Sequence, residues 1–283
     1  MNFIGLDVGF SKTRRSSGVA CLSDGKLSVG CATASWESRA ELLGDCTIAQ
    51  VVAIDAPIVT VGNCEGRDCE RVLTLGRFQR RCKPALSHVQ GTGRQLRDAG
   101  DESVEQLWHV TSGCELSEKF PRVRADRNII EAFPNAFLSV LSSTSDFDRR
   151  PKLSRGAKFD WVFEQCRQTN RISHVVNIIG LPGITEALPH IEGNANHDQR
   201  AALICLLTAA CVAVGRYTAV GNQQGGYIFL PPWNAWALWA QEEIEIQRRR
   251  MDCLEVWING KRFEPAEPLL PAPSSVRASQ SAS

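Results

Sequence analysis

The sequence predicts an α/β protein in which a mixed sheet is flanked by helices and carries a helical, arginine-rich insertion. Short apolar runs rich in β-branched residues alternate with turn residues and helical patterns, as they do in such a sheet. A later segment, 198–214, is apolar around nearly its whole circumference, which is typical of a helix buried against a sheet. Residues 60–125 change to a pattern of arginine-rich helices and loops, and we interpret them as the insertion.

The first part of the chain predicts an antiparallel meander, a helix and one further strand. Strands are predicted at 2–7, 18–22 and 27–34, and a Ser-Asp-Gly-Lys segment supplies turn residues between the last two. A helical pattern covers 37–46. The apolar, β-branched run at 51–55 predicts the fourth strand, which an Ala-Pro pair ends.

The rest of the chain predicts more strands of the same sheet and more helices around it. An Asn-Gly pair indicates a late hairpin, and the proline- and serine-rich tail lacks the apolar residues that a fold needs. We expect one domain over residues 1–264. Its predicted elements after the insertion are a strand at 128–133, helices at 135–142, 158–171 and 198–214, a strand at 226–230, a helix at 233–250 with Trp233, Trp236 and Trp239 packed along one side, and a hairpin at 254–263, followed by a disordered tail at 265–283.

The composition limits the class of protein without indicating its substrate. Of the 283 residues, 43% are hydrophobic and 22% are charged, and the net charge of +1 gives no global attraction to nucleic acid or membrane. No apolar run approaches the roughly 20 residues of a membrane span, and the N-terminal residues do not resemble a signal peptide. We therefore expect a cytoplasmic protein with reduced cysteines and no membrane partner.

The cysteines allow two interpretations. Eleven are spread along the chain, and many of them lie in apolar contexts. Cys64, Cys69, Cys82 and His88 form a loose series that could close a zinc site in the insertion. Reduced, partly buried thiols are the interpretation that we prefer, because the spacing of this series is loose.

Four carboxylates occur where an apolar element begins or ends, or inside a short apolar strand. They are Asp7, Asp55, Glu131 and Asp198. Parallel neighbouring strands end at the same edge of a sheet, so we expect Asp7 and Asp55 to emerge there side by side. Converging carboxylates repel one another unless cations neutralise them, and oxygen ligands favour Mg²⁺ or Mn²⁺. Two such ions would activate water and stabilise the leaving oxygen in phosphodiester hydrolysis.

Three of these charges also have a structural alternative. Asp198 has the position of an N-cap before an apolar helix, and Asp55 has that of a turn residue before proline. The alternative for Glu131 is an ion pair with an arginine of the insertion. The insertion arginines fit either a clamp that binds substrate phosphates or a solvated, salt-bridged helical surface.

Several short motifs follow one another along the chain. They are Gly5-Leu6-Asp7, Ile54-Asp55-Ala56-Pro57, Arg67-Asp68-Cys69-Glu70, Ile130-Glu131-Ala132-Phe133-Pro134, and His197-Asp198 with Ala202-Leu203. Their order, over residues 2–231, resembles the domain-of-unknown-function family 429. The resemblance implies a ribonuclease H-like fold and a metal-dependent phosphodiesterase of the resolvase-like branch. Related nucleases often place two acidic residues three positions apart at the start of the final helix, and this chain has Ala201 three positions after Asp198.

These observations together predict a nuclease that depends on Mg²⁺ or Mn²⁺ and acts on nucleic acid. The predicted catalytic residues are Asp7, Asp55, Glu131 and Asp198, and the predicted metal ligands are Asp7, Asp55 and Asp198. Substrate binding is assigned to arginines of the insertion, namely Arg67, Arg71, Arg80 and Arg81.

Two other functions fit parts of the sequence. The segment from Asp7 to Thr13 is similar to the first phosphate loop of the sugar-kinase and actin-like ATPases, and Gly225-Gly226 is then the candidate adenosine-binding pair. The other alternative is a non-catalytic nucleic-acid-binding protein with a decayed site. Ala201, at a position where related nucleases often carry an acid, favours this last interpretation.

Overall fold

The computed structural model describes residues 1–44, 48–58, 66–82, 86–108, 115–116, 128–148 and 151–264. Within these residues, ten strands form one sheet. They are β1 (Phe3–Asp7), β2 (Ser17–Ser23), β3 (Lys26–Ala32), β4 (Val51–Asp55), β5 (Glu115–Leu116), β6 (Asn128–Ala132), β7 (Thr218–Asn222), β8 (Gly226–Leu230), β9 (Glu255–Ile258) and β10 (Lys261–Arg262). The strand order is β10-β9-β7-β8-β6-β4-β1-β2-β3, and β5 pairs with β6 outside this row.

The sheet is mixed, as the sequence predicts. β1, β2 and β3 form an antiparallel meander, whereas β1, β4, β6 and β8 run parallel to one another. β7 and β9 extend the other half of the sheet in antiparallel directions. In register, Asp7 lies opposite Asp55, and Ile54 lies opposite Glu131. The carboxyl ends of three central strands therefore meet at one edge of the sheet.

Helices pack against the sheet. The described helices are α1 (Trp36–Leu43), α2 (Asp68–Val72), α3 (Thr92–Trp108), α4 (Pro134–Leu141), α5 (Thr144–Asp148), α6 (Arg155–Gln168), α7 (Arg171–Ile179), α8 (Pro182–Gly193), α9 (His197–Ala213) and α10 (Leu238–Arg250). In α9, every residue from Ala201 to Val212 is buried, as predicted for the apolar segment. None of the described helices is long and apolar enough to cross a membrane.

Alternate residues of the central strands face opposite layers of helices. Phe3 of β1 packs in the hydrophobic cluster around α9, whereas its neighbour Ile4 packs in the cluster that includes α1 and α3. By the same alternation, Asp7 and Asp55 end their strands on the face that α9 covers. Glu131 has the opposite phase in β6, so it belongs to the other face.

The predicted strands and helices are present with ends that shift by up to three residues, except for the predicted helix at 233–250. That helix is wrong in its first part. Trp233–Ala235 forms a 3₁₀ turn, and the chain is then extended until α10 begins at Leu238. The Trp236 indole donates a hydrogen bond to the Pro231 carbonyl at 3.0 Å, which holds this turn. The three tryptophans therefore do not share one side of a helix.

The sequence pattern does not indicate β7, α5, α7 and α8. β7 is buried on both faces except at its last residue, so it lacks the alternation that marks a half-buried strand. α8 contains Pro189, which normally indicates the end of a helix. The predicted disordered tail at 265–283 and large parts of the predicted insertion lie outside the described residues.

Candidate functional site

Asp7 and Asp55 lie side by side at the ends of β1 and β4. Their Cα atoms are register partners, and neighbouring strands lie about 4.8 Å apart. Both residues line a pocket of about 260 Å³ at the carboxyl edge of the sheet, which we call the carboxylate pocket. The structure thus brings together the two carboxylates that the strand pattern predicts at this edge.

Asp7 is half-buried and lies among other negative charges. Burial raises the pKa of Asp7 well above its usual range, and the charges of Asp55 and Asp198 raise it further. No cation of the described residues is among the groups that shift this pKa. A buried carboxylate with carboxylate neighbours has a strong tendency to take up a proton or to bind a cation.

Two glycines allow α9 to reach this position. A Cβ atom on Gly5 would overlap the backbone of Ala202, and one on Gly18 would overlap the carbonyl oxygen of Asp198. Glycine is therefore required for the backbone of α9 to lie directly on β1 and β2. Because Gly18 is the register partner of Asp7, this contact fixes the start of α9 beside Asp7.

Asp198 lies in the first turn of α9 and is not its N-cap. Asn196 is the N-cap, since its side chain accepts a hydrogen bond from the Gln199 amide at 3.0 Å. The N-cap alternative for Asp198 is therefore wrong. Burial raises the pKa of Asp198, while nearby His197 lowers it and Asp160 raises it. Asp198 adds negative charge to the surroundings of Asp7.

α6 and the start of α9 form a second wall of the carboxylate pocket, which Phe159, His197 and Ala201 line. Asp160 of α6 lies 3.1 Å from His197 Nδ1 and accepts a hydrogen bond from Arg200 Nη1 at 3.2 Å. The sequence analysis missed Asp160, because it lies within an ordinary helical pattern. Ala201 presents its small side chain to the pocket at the position where related nucleases often carry an acid.

Glu131 is held by a buried ion pair with Arg67. The Arg67 guanidinium donates to both carboxylate oxygens of Glu131, at 2.7 and 2.6 Å, and to Glu70 at 2.7 Å. The amides of Ile58 and Ser87 donate to Glu131 and Glu70, respectively. All three charged side chains are at most 4% exposed, and we call them the Arg67 network. The structural alternative for Glu131, an ion pair with an insertion arginine, is confirmed.

Glu131 differs from Asp7 although both line the carboxylate pocket. Burial raises the pKa of Glu131, and the guanidinium of Arg67 opposes that rise. The charges that raise the pKa of Asp7 belong to Asp55 and Asp198, and Glu131 is not among them. The structure therefore separates the four predicted carboxylates into a group of three and a glutamate with its own cation.

The four predicted substrate-binding arginines are of two kinds. Arg67 belongs to the Arg67 network, and the guanidinium of Arg81 lies 3.8 Å from the ring centroid of Trp239. These two contact other parts of the protein, which corrects their predicted role as substrate clamps. Arg71 and Arg80 are exposed, and Arg71 lines a second pocket of about 750 Å³ beside the Arg67 network.

The donor chemistry of the carboxylate pocket suits a hard cation, although the described residues do not form a complete metal site. Within the described part of the chain, no group of three or more His, Cys, Asp or Glu residues is arranged to hold a metal ion. The predicted set of Asp7, Asp55 and Asp198 is thus not assembled as three ligands. Two adjacent aspartates match Mg²⁺, which proteins commonly bind through one or two carboxylates together with substrate phosphates.

The described residues give little support to the zinc site or to the ATPase function. Cys69 and Cys82 are free and buried in a hydrophobic cluster, and burial raises the pKa of the Cys82 thiol to about 12. Cys64 lies outside the described residues. Gly225 ends the β7–β8 connection and Gly226 begins β8, and the Gly225 carbonyl accepts a hydrogen bond from Arg67. A structural role thus accounts for the glycine pair.

The fold and the site define an α/β protein with an acidic pocket at the carboxyl edge of a mixed sheet. The profile of the family described as "Protein of unknown function (DUF429)" matches residues 5–224. This match covers most of the chain, and the chain belongs to that family. The family assignment based on the motifs is confirmed. Searches of curated proteins and of solved structures gave no match.

Proposed function

We propose that this protein is a metal-dependent nuclease that hydrolyses phosphodiester bonds of nucleic acid. One observation carries the proposal: Asp7 and Asp55 lie side by side in the carboxylate pocket, and the charge of Asp198 reaches Asp7. The local excess of negative charge favours a cation there, and a cation beside a phosphate is what phosphodiester hydrolysis requires.

The sheet supports the ribonuclease H-like fold that the family resemblance implies. The meander of β1, β2 and β3 continues directly into the parallel strands β4 and β6, with helices packed against the sheet. In open sheets of this kind, ligands bind beyond the carboxyl ends of the parallel strands. The carboxylate pocket lies at that edge.

The residues of the pocket have separate roles in this proposal. Asp7 and Asp55 would hold Mg²⁺ or Mn²⁺, and Asp198 would strengthen the negative potential around them. When bound, the ion supplies Lewis-acid stabilisation of the phosphate and an activated water molecule. Glu131 keeps the pocket wall in place through Arg67, and Asp160 orients His197 towards the same cavity.

The exposed cations of the insertion would hold the nucleic-acid strand. Arg71 and Arg80 are exposed, and arginine binds phosphate through two parallel hydrogen bonds. Because the net charge of the whole chain is only +1, such contacts must be local. We therefore expect binding of nucleic acid to depend on a few surface arginines rather than on a global field.

Nuclease assays test the proposal directly. We expect the wild-type protein to cleave single-stranded, duplex or branched nucleic acid with Mn²⁺ or Mg²⁺, and to lose this activity in EDTA. Asp7→Asn and Asp55→Asn should each reduce the rate by at least about 100-fold, because they remove the charge that holds the ion. The matched control, Asp252→Asn, changes an exposed aspartate far along the chain and should leave the rate unchanged. Equal cleavage by wild type and Asp7→Asn would identify a contaminating nuclease and refute the proposal.

A further inference from the structure

The loop between β1 and β2, residues 8–16, leaves the sheet next to the carboxylate pocket. It begins directly after Asp7, and Asp7 is the register partner of Gly18 on the returning strand. Phe10 lies three residues beyond Asp7, which is about 10 Å of extended chain at most. Lys12 of the loop lies 3.7 Å from Glu102 of α3, the helix that lines the pocket with Leu96.

The backbone of this loop is held by hydrogen bonds. The Ser11 hydroxyl accepts hydrogen bonds from the amides of Thr13 and Arg14, at 3.3 and 2.9 Å, and the Ser11 carbonyl accepts one from Ala34 at 2.8 Å. At the base of the loop, the Gly9 amide donates to the Ser17 hydroxyl at 3.1 Å. The side chains of the loop are thus presented from a defined backbone.

A buried arginine supports the base of the loop. Arg39 is only 2% exposed, and its guanidinium donates to the Ser17 hydroxyl at 3.2 Å and to Ser103 and Gln106 of α3. The same Ser17 hydroxyl binds Gly9, so α3 and the loop are tied together through one side chain. The loop therefore keeps a fixed position relative to the wall of the pocket.

This loop combines an exposed aromatic ring with cations and contains no acidic residue. Phe10 is 44% exposed, and the side chains of Lys12 and Arg15 are 73% and 67% exposed. Arg14 is exposed as well, and no ion pair of Arg14 occurs among the described residues. The ion pairs of Lys12 and Arg15 are 3.7 and 4.0 Å long and exposed to solvent, so a competing anion displaces them easily.

We propose that this loop is a binding platform for single-stranded nucleic acid, on which an unpaired base stacks on Phe10 while Lys12, Arg14 and Arg15 contact the phosphates. This inference rests on the proposed nuclease function and adds a substrate class to it. A phosphate-binding loop for a nucleotide explains the cations but not the exposed ring. In duplexes the bases are already stacked, whereas a single strand offers a free face to an aromatic side chain.

Binding without cleavage tests the platform. We would measure the fluorescence anisotropy of labelled deoxythymidine and uridine oligomers of about 16 nucleotides, the upper end of common site sizes, in EDTA. Phe10→Ala should weaken binding by roughly 5- to 100-fold, as expected for one lost base stack, and Phe10→Trp should retain it. The control Leu238→Ala removes another exposed apolar side chain and should leave binding unchanged. Thermal unfolding of each variant verifies that it is folded.

The salt dependence tests the cations. Replacing Lys12, Arg14 and Arg15 by alanine should lower the slope of log affinity against log salt by about 2, as expected for three phosphate contacts to a single strand. The control replaces Arg249 and Arg250, two exposed arginines at the end of α10, and should leave the slope unchanged.

Several outcomes would overturn the platform. They are unchanged binding in Phe10→Ala, preference for a duplex of the same sequence, displacement of the oligomer by inorganic phosphate at equal concentration, and absence of binding by the wild type. The nuclease proposal fails separately. Cleavage that needs Asp7 but not Phe10 refutes only the platform, whereas strand binding that needs Phe10 without cleavage that needs Asp7 refutes only the nuclease.

Discussion

Two groups of charge lie near the carboxyl ends of neighbouring strands in this protein and are built in opposite ways. In the Arg67 network, one guanidinium joins Glu131 and Glu70, and backbone amides satisfy the remaining oxygens. Around Asp7, the neighbouring charges are the carboxylates of Asp55 and Asp198. In the first group the protein supplies a cation to its carboxylates, whereas every charge that shifts the pKa of Asp7 is negative.

The alternation of side chains along the strands accounts for this difference. Asp7 and Asp55 end β1 and β4 on the face of α9, where the helix contributes another carboxylate at Asp198. Glu131 lies on the opposite face of β6, where the insertion contributes Arg67. The layer of helices that each carboxylate faces thus determines which charges surround it.

The largest expected effect concerns the Arg67 network. Arg67→Ala leaves Glu131 and Glu70 buried without their cation, so we expect a loss of about 3 to 5 kcal/mol in the free energy of unfolding, measured with urea. The control is Arg71→Ala, an exposed arginine of the same short helix, for which we expect a change within about 0.5 kcal/mol. A loss below about 1 kcal/mol in Arg67→Ala would show that the network does not hold these charges.

A smaller effect of opposite sign is expected at Asp7. Asp7→Asn removes a half-buried charge with carboxylate neighbours, so in metal-free buffer we expect a gain of roughly 1 kcal/mol in stability, or about 2 to 4 °C in the melting temperature. Calorimetry in EDTA measures this gain. Asp252→Asn, which changes an exposed aspartate, is the control and should not shift the melting temperature. Destabilisation by Asp7→Asn would mean that Asp7 is compensated after all.

The smallest effect is the pH dependence of that gain. Because the pKa of Asp7 is raised in the folded protein, the folded state keeps a proton that the unfolded state releases, so stability falls as the pH rises above the usual carboxyl range. The stability difference between Asp7→Asn and wild type should therefore shrink as the pH is lowered towards about 4. Urea midpoints of both proteins over a pH series measure this. If the stability difference between the two proteins did not change with pH, the charge of Asp7 would not be the cause of the gain.

The parts of the site that depend on strand ends are predictable from the sequence. The apolar runs before Asp7 and Asp55 indicate two strands, and parallel pairing then places their ends together. The partners of these residues are not predictable, because nothing local in the sequence tells Arg67, which is buried, from Arg71, which is exposed. Asp160 was missed for the same reason, since its contacts depend on how α6 packs against α9.

The same limit applies to the fold. The all-apolar pattern of α9 predicts its burial, because a helix without a polar face cannot remain at the surface. The tryptophan spacing predicts a helix from residue 233, but the helix begins only at Leu238, because the indole of Trp236 donates to the Pro231 carbonyl and the indole of Trp239 to that of Ser142. Hydrogen bonds between distant segments decide such cases, and a periodic pattern contains no information about them.

The contact of α9 with Gly5 and Gly18 also determines how stiff the acidic pocket is. Where two backbones touch directly, no side chain lies between them that could change its rotamer. The start of α9 therefore cannot tilt through rearranged side chains at this contact. Strand pairing and this backbone contact therefore fix the main chain at Asp7, Asp55 and Asp198. Only the side-chain torsions of these aspartates remain adjustable. For the ion proposed above, we therefore expect a pocket that adapts poorly to ions of different radius and selects among them by size.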